Sequence, residues 1–298
     1  MSQKKTLTIF TPSYNRADLL LRAYEALQGQ SLKDFIWMII DDGSTDNTEQ
    51  VVKPWLSNDE FEVRYIKKEN GGLYTGYNKA IELADTELMV CIDSDDYMPP
   101  DAVEKIISFW KKYGSDEYAG IVGLDCDLDG NIIGDRLPDI KSVNLIDLLC
   151  GKYNIVNGDR TNVVRTKLYK EVAPMIGFEG EKNFNPHYMH LMISKKYDFL
   201  VLNENLRFVE YQPGGLSDTM WKQYLSSPKS FAKTRILYLE FENTPLSFKI
   251  RNSIHYVSSI IIAGECVEGF KKCPRKGCFL VAFLPGVLLS IITKRRGK

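Results

Sequence analysis

The sequence predicts an open, mixed α/β sheet flanked by helices, and three observations carry that prediction. Short apolar runs alternate with stretches of helical periodicity through roughly the first hundred residues. Each apolar run ends in a polar cluster. The composition, 44% apolar and 26% charged over 298 residues, suits a chain with a full core and excludes disorder, collagen-like repeats and disulfide scaffolds. Apolar strands separated by helices imply βαβ units and a largely parallel sheet.

Leu7–Thr11 is a β-rich run that ends at Pro12, and Asp18–Leu27 follows with apolar residues at helical spacing. Phe35–Ile40 is a second, continuous apolar run. Asn47–Leu56 reads as a helix with Asp46 placed to cap it. Glu62–Ile66 is the third strand, Tyr77–Leu83 a helix and Glu87–Ile92 the fourth strand. Gly120–Leu128 and Asn131–Ile133 suggest a hairpin about Asp129-Gly130. Residues 140–200 mix short helices with polar loops, and Asn205–Gln212 reads as a later strand. Helical signals dominate from Ser227, in Phe231–Phe241 and Leu246–Ala263. A soft boundary near residue 225 divides residues 1–225, with a regular first half (1–110) and a looser second half (111–225), from a helical region, 226–298.

Sheets of this kind bind ligands at the carboxyl ends of their strands, where loop amides and helix N-termini converge. Four polar clusters follow the first four strands: Thr11–Arg16, Asp41–Asp46, Glu69–Gly72 and Asp93–Asp96. The topology places all four on one edge. Asp93-Ser94-Asp95-Asp96 puts three carboxylates within four residues, which repel unless a cation or ligand donors neutralise them. Oxygen ligands on a loop favour Mg²⁺ or Mn²⁺ over zinc. A solvated acidic turn is the plain alternative, and the strand before the loop and its shared edge with three other clusters favour the metal. Asp41 or Asp42 could accept from a nucleobase or ribose, or only cap the following helix. Asn70, Gly71 and Gly72 form a loop that can bring backbone amides to a ligand, and Asn78 could reach the same site or cap a helix.

Taken in order, T-P-S-Y-N-R, I-I-D-D-G-S-T-D-N-T, E-N-G-G…Y-N-K-A and I-D-S-D-D resemble family-2 glycosyltransferases of the GT-A fold, of the bacterial surface-polysaccharide type. The resemblance covers about residues 6–110 and extends faintly, through Gly180–Lys182 and Tyr211–Asp218, to about 235. It implies transfer of a sugar from a nucleotide-diphosphate donor, with a UDP-sugar expected, and inversion at the anomeric carbon. Carried over, Thr11, Pro12 and Tyr14 would line the nucleotide pocket and Asp41 or Asp42 would contact the base. Asn70, Gly72 and Asn78 would close over the uridine-like moiety, with Ser94 beside them. Asp93 would face ribose or metal, and Asp95 with Asp96 would hold Mn²⁺ or Mg²⁺ on the diphosphate. Many relatives place a Glu-Asp pair before a helix in the second half, with the Asp as base. Here Gly180-Glu181-Lys182 has no such pair, which leaves Glu181 as first candidate for the base and His187 as second. Asp218, Trp221 and Arg235 could shape the acceptor side or serve packing.

The net charge of −1 hides an asymmetry: the tail from Lys271 carries eight basic residues and no acidic one, against −9 for residues 1–270. An acidic body with a basic end argues against nucleic acid as partner. Phe279–Ile292 is apolar but interrupted by Pro285-Gly286, and at fourteen residues it falls short of the ~20 needed to span a bilayer. With basic flanks, it reads as an amphipathic tail lying on an anionic membrane surface; a buried helix or a homodimer contact would use the same residues. Six scattered cysteines with no C-x-x-C and a start with no room for a signal peptide point to a cytoplasmic protein on the inner face of the membrane. The expected acceptor is a glycan, with a lipid-linked oligosaccharide favoured by that tail. Two other classes compete. An inactive membrane-bound scaffold or glycan-binding module is one, favoured by the missing Glu-Asp. A nucleotidyltransferase is the other, disfavoured because Thr11–Arg16 lacks a glycine-rich phosphate loop.

Overall fold

The computed structural model describes residues 4–156, 158–212, 215 and 219–297. The order of the first elements is β1 (Leu7–Ser13), α1 (Ala17–Gln28), β2 (Phe35–Asp41), α2 (Thr48–Val52), β3 (Glu62–Lys67), α3 (Leu73–Leu83) and β4 (Leu88–Cys91). Then come α4 (Ala102–Tyr113), β5 (Tyr118–Cys126), β6 (Ser142–Val143), α5 (Leu145–Leu149), β7 (Arg160–Arg165), α6 (Thr166–Val172), α7 (His187–Ser194) and β8 (Asp198–Phe208). Helices α8 (Met220–Ser226), α9 (Pro228–Glu240), α10 (Leu246–Ile262), α11 (Cys266–Lys272) and α12 (Lys276–Arg296) follow.

One mixed sheet runs in the order β3-β2-β1-β4-β7-β5-β8-β6. Its first four strands are parallel, while β7 is antiparallel to both β4 and β5. Side chains alternate across a strand, so β1 sends Leu7 and Ile9 to one face and Phe10 to the other. The first face packs on α1 and α4 through Leu20, Leu27, Ile106 and Trp110. The second packs on α3, α6 and α7 through Tyr77, Ile81, Tyr169 and Met189. Strand β2 is buried along its whole length, as a continuous apolar run in a doubly covered sheet must be.

Several elements differ from expectation, each for a local reason. Strand β1 passes through Pro12 to Ser13, because β4 pairs it only as far as Phe10 and beyond that point one side of β1 needs no N–H. Helix α3 starts four residues early, at Leu73, directly after Gly72, whose φ of +92° opens the turn. The expected helix 47–56 divides into α2 and a 3-10 turn, Lys53–Ser57; Asn47 holds the N-cap position without a side-chain bond, and Asp46 just before it accepts from Thr48 N at 3.1 Å. Strand β8 begins at Asp198, seven residues before the expected start. The hairpin about Gly130 forms through the Cys126–Ile132 bridge. All six cysteines are free thiols.

The tail is one continuous helix. α12 runs 21 residues through Pro285, a length of about 31 Å at 1.5 Å per residue, and it is long and apolar enough by length and composition to cross a membrane. That corrects the expectation that the segment is too short: residues on either side of the apolar run add turns to the helix. One face, with Phe279, Ala282, Gly286, Ser290 and Thr293, is buried. Gly286 lies so close to α10 that a Cβ there would meet the Val257 side chain at 2.6 Å. The other face exposes Leu280, Val281, Leu284 and Leu288.

Candidate active site

Three of the four strand-end clusters line a cavity of about 550 Å³ through Pro12, Ser13, Tyr14, Asp42, Asp93, Ser94, Asp95 and Asp96, and the fourth, Glu69–Gly72, is tied to it through Asp42. Residues from the second half close it, among them Asp159, Asn185, Arg207, Glu210 and Tyr211. A larger groove of about 730 Å³ lies by Asn144, Lys195 and Glu240–Thr244 and touches none of the strand-end clusters.

The loops after β1 and β2 are laced together. Asn15 sits at φ +53°, and its Oδ1 accepts from Thr45 N at 2.8 Å while its own N–H donates to Ser44 Oγ at 2.9 Å. Thr11 is fully buried beneath this layer and takes the indole N–H of Trp37 at 3.0 Å, so it supports the pocket without lining it. Asp41 is fully buried too. Its carboxylate accepts from Ser44 N at 2.7 Å and from the Tyr65 hydroxyl, so its oxygens are spent on the turn rather than offered to a base. Burial and that carboxylate push the Tyr65 phenol well up.

Asp42 lines the cavity and holds the Asn70–Gly72 loop. Its carboxylate accepts from Gly71 N at 3.0 Å and Gly72 N at 2.8 Å and pairs with Lys68, and its carbonyl takes Asn70 Nδ2 at 2.8 Å. Gly72 fits here because a Cβ would stand 2.0 Å from Lys182 O. Lys182 also reaches Asn70 Oδ1 at 2.6 Å. Asn78 does not reach the site. It lies inside α3, and its amide exchanges hydrogen bonds with Met175 O and N at 2.9 and 2.8 Å.

The acidic loop is split by a buried arginine that sequence reasoning missed. Arg207 binds Asp125, which is fully buried, and approaches Asp96 Oδ2 at 3.2 Å and Asp93 Oδ2 at 3.7 Å. Asp96 also accepts from Glu210 N at 3.2 Å. Burial pushes the Asp96 carboxyl up to about 8, against the pull of Arg207. The one available signal was a cation inside the apolar run Leu206-Arg207-Phe208-Val209.

Among the described residues no three His, Cys, Asp or Glu side chains gather as a metal cage, which corrects the expectation of a three-carboxylate site: Asp96 is taken by Arg207 and a backbone N–H. A hard divalent cation needs only one or two carboxylates when phosphate oxygens and water complete its shell. Asp95 and Asp93, both on the cavity wall, fit that open arrangement. Asp95 accepts no hydrogen bond and forms no ion pair through its carboxylate among the described residues; only its carbonyl is engaged, by Arg22.

Neither candidate base reaches the cavity. Glu181 is buried, with Oε1 accepting from Lys229 N at 2.9 Å and Oε2 from Ser230 N and Oγ at 2.8 and 2.7 Å. It satisfies the open N–H groups at the start of α9. His187 lines a separate cavity of about 160 Å³ with Tyr224, Phe231 and Arg235, and burial lowers its imidazole to about 4. Arg235 donates to Asn252 Oδ1 at 2.8 Å and covers Tyr238. Trp221 lies beneath Arg296, 5.2 Å from the ring centre, and so ties α8 to α12. Asp218 lies outside the described residues.

A parallel βαβ half whose strand ends form an acid-lined cavity, joined through an antiparallel strand to a second half that closes it, is the architecture of the GT-A fold. Residues 8–173 match glycosyl transferase family 2, and the chain belongs to that family. Chondroitin synthase of Escherichia coli is 32% identical over 127 residues, 43% of this chain but 18% of the relative; the chain thus spans under a fifth of that protein. The crystal structure of S. aureus TarS 1–349 in complex with UDP-GlcNAc superposes with a TM-score of 0.62 at 16% identity, covering 98% of this chain and 92% of that one. The mannosyltransferase PcManGT from Pyrobaculum calidifontis, in complex with GDP-Man and Mn²⁺, superposes at 0.58 with 14% identity over 98% and 85% of the two chains.

Proposed function

We propose that this chain is a metal-dependent, inverting glycosyltransferase that moves a sugar from a UDP-sugar to a growing glycan in surface-polysaccharide synthesis. The observation that carries this reading is the cavity at the carboxyl ends of β1, β2 and β4, where Asp42 holds the Gly71-Gly72 turn and Asp95 has no ion pair among the described residues. Pro12, Ser13 and Tyr14 form the nucleoside wall. Asp95, with Asp93, would hold Mn²⁺ or Mg²⁺ beside the diphosphate. Such an ion neutralises charge building on the leaving diphosphate. The uridine preference is supported by the TarS complex with UDP-GlcNAc, and the complex of PcManGT with GDP-Man and Mn²⁺ makes GDP the proper competitor.

Thermal-shift or calorimetric titration with UDP, GDP and CDP, each with and without Mn²⁺, tests this. Metal-dependent binding of UDP over the others is expected, with at least a tenfold loss in Asp95→Ala. No binding of any nucleotide would overturn the reading.

The acceptor is a lipid-linked oligosaccharide, and α12 brings the enzyme to it. α12 is packed along α10 on one side and presents Leu280, Leu284 and Leu288 outward, between the basic clusters Lys271–Lys276 and Lys294–Arg296. A helix so fastened to the body suits the inner face of an anionic membrane, where enzyme and acceptor gain effective concentration. Co-sedimentation with phosphatidylglycerol vesicles is expected for the full chain and not for Leu280→Glu/Leu284→Glu/Leu288→Glu. Equal partitioning of the two would exclude docking through this face, and a doubled mass in solution lost in the triple variant would assign it to a homodimer.

A further inference from the structure

Inverting transfer requires a base for the acceptor hydroxyl, and the cavity wall itself supplies the comparison that identifies it. Of the carboxylates lining it, Asp42 is held by Lys68 and two backbone amides, Asp96 by Arg207 and Glu210 N, and Glu210 by Arg22. Asp93 stands near Arg207. A carboxylate bound to a cation or to backbone N–H groups is a poorer proton acceptor. Asp95 and Asp159 remain, and Asp95 is the carboxylate beside the diphosphate in the reading above.

Asp159 immediately precedes β7. It lines the same cavity wall as Ser94, Asp95 and Asp96. The residue therefore emerges beside the acidic loop, on the half of the sheet that does not supply the nucleoside wall. Among the described residues no Lys, Arg or His forms an ion pair with it, and its one side-chain partner is neutral: the Tyr211 hydroxyl donates to Asp159 Oδ2 at 2.6 Å. Burial and this carboxylate raise the Tyr211 phenol to about 12, so it stays protonated and donates throughout the working range. That leaves Oδ1 for an incoming hydroxyl.

We propose that Asp159 is the general base of this enzyme and that Tyr211 positions it, an assignment that rests on the sugar-transfer reading. The acceptor oxygen bonds to the anomeric carbon and its proton passes to the Asp159 carboxylate. The bond from the anomeric carbon to the β-phosphate oxygen breaks, and its electron pair leaves with the nucleoside diphosphate.

The test follows nucleoside diphosphate release by the full chain from whichever of UDP-GlcNAc, UDP-glucose and GDP-mannose binds, in the presence of Mn²⁺, with octyl glycosides as acceptors. Asp159→Asn is expected to lower kcat by about 100-fold or more with nucleotide Kd within threefold of wild type. Tyr211→Phe is expected to lower kcat by less, with Kd again unchanged. Azide is a nucleophile with no proton to lose, so it is expected to restore release in Asp159→Asn. Turnover in Asp159→Asn within threefold of wild type, or a loss that azide does not restore, would overturn the assignment while leaving the transferase reading intact. A wild-type chain that binds none of these donors, or binds one and releases nothing, would instead overturn the transferase reading.

Discussion

Arg207→Ala is expected to destabilise the protein by about 3–5 kcal/mol, the usual effect of removing one partner from a buried ion pair. Asp125 is fully buried and, among the described residues, would keep only the Thr161 hydroxyl, 2.6 Å away. Asp96 would keep only Glu210 N. Asp96 would escape the uncompensated charge by taking up a proton, which gives the loss a pH dependence of definite sign. A carboxyl whose folded pKa lies above its unfolded value lowers stability as pH rises between the two. Asp96 already sits at about 8 with the guanidinium present, and without it the window reaches higher. Denaturant titration should therefore show a larger deficit at pH 8 than at pH 5.5. Arg207→Lys is expected to recover only part, since one ammonium cannot reproduce the fork that spans Asp125 and Asp96. A loss below 1 kcal/mol at both pH values would mean that the acidic loop balances its own charge.

How much of this was legible in the sequence depends on the distance over which each feature is determined. The strands Phe35–Asp41 and Leu88–Cys91 and the loops after them were readable because alternating βα units fix which edge each loop occupies. β7 was not. Its sequence, Arg160–Arg165, carries no strong strand pattern, and it becomes a strand by filling the antiparallel gap between β4 and β5. The errors at the site share one cause. Thr11, Asp41 and Asn78 lie in the right loops or helix, yet their polar atoms are spent on Trp37, Ser44 and Met175. Sequence order names the loops that meet; it does not say which side chain in a loop must satisfy a buried N–H. Arg207 shows the converse, a residue whose role arises from Asp125, more than eighty positions earlier in the chain.

Glu181→Ala is expected to lower stability by about 2–4 kcal/mol and to leave nucleotide affinity within threefold. The carboxylate is buried and bridges two backbone N–H groups and a hydroxyl at the start of α9. Hydrogen bonds to a charged acceptor are worth roughly 1.5–3 kcal/mol each, though they do not sum when one group makes several, and loss of a helix cap alone costs about 1 kcal/mol. Glu181→Gln should lose roughly half as much, because the amide keeps one acceptor while its NH₂ faces a donor. The next residue, Lys182, carries a positive charge to Asn70 in the loop that Asp42 holds. Equilibrium unfolding and nucleotide titration on the same preparations decide the matter. Unchanged stability with abolished turnover would return Glu181 to the role of base and require it to leave α9 during the reaction. A stability loss with binding retained leaves it as the fastening between its own loop and the C-terminal helices.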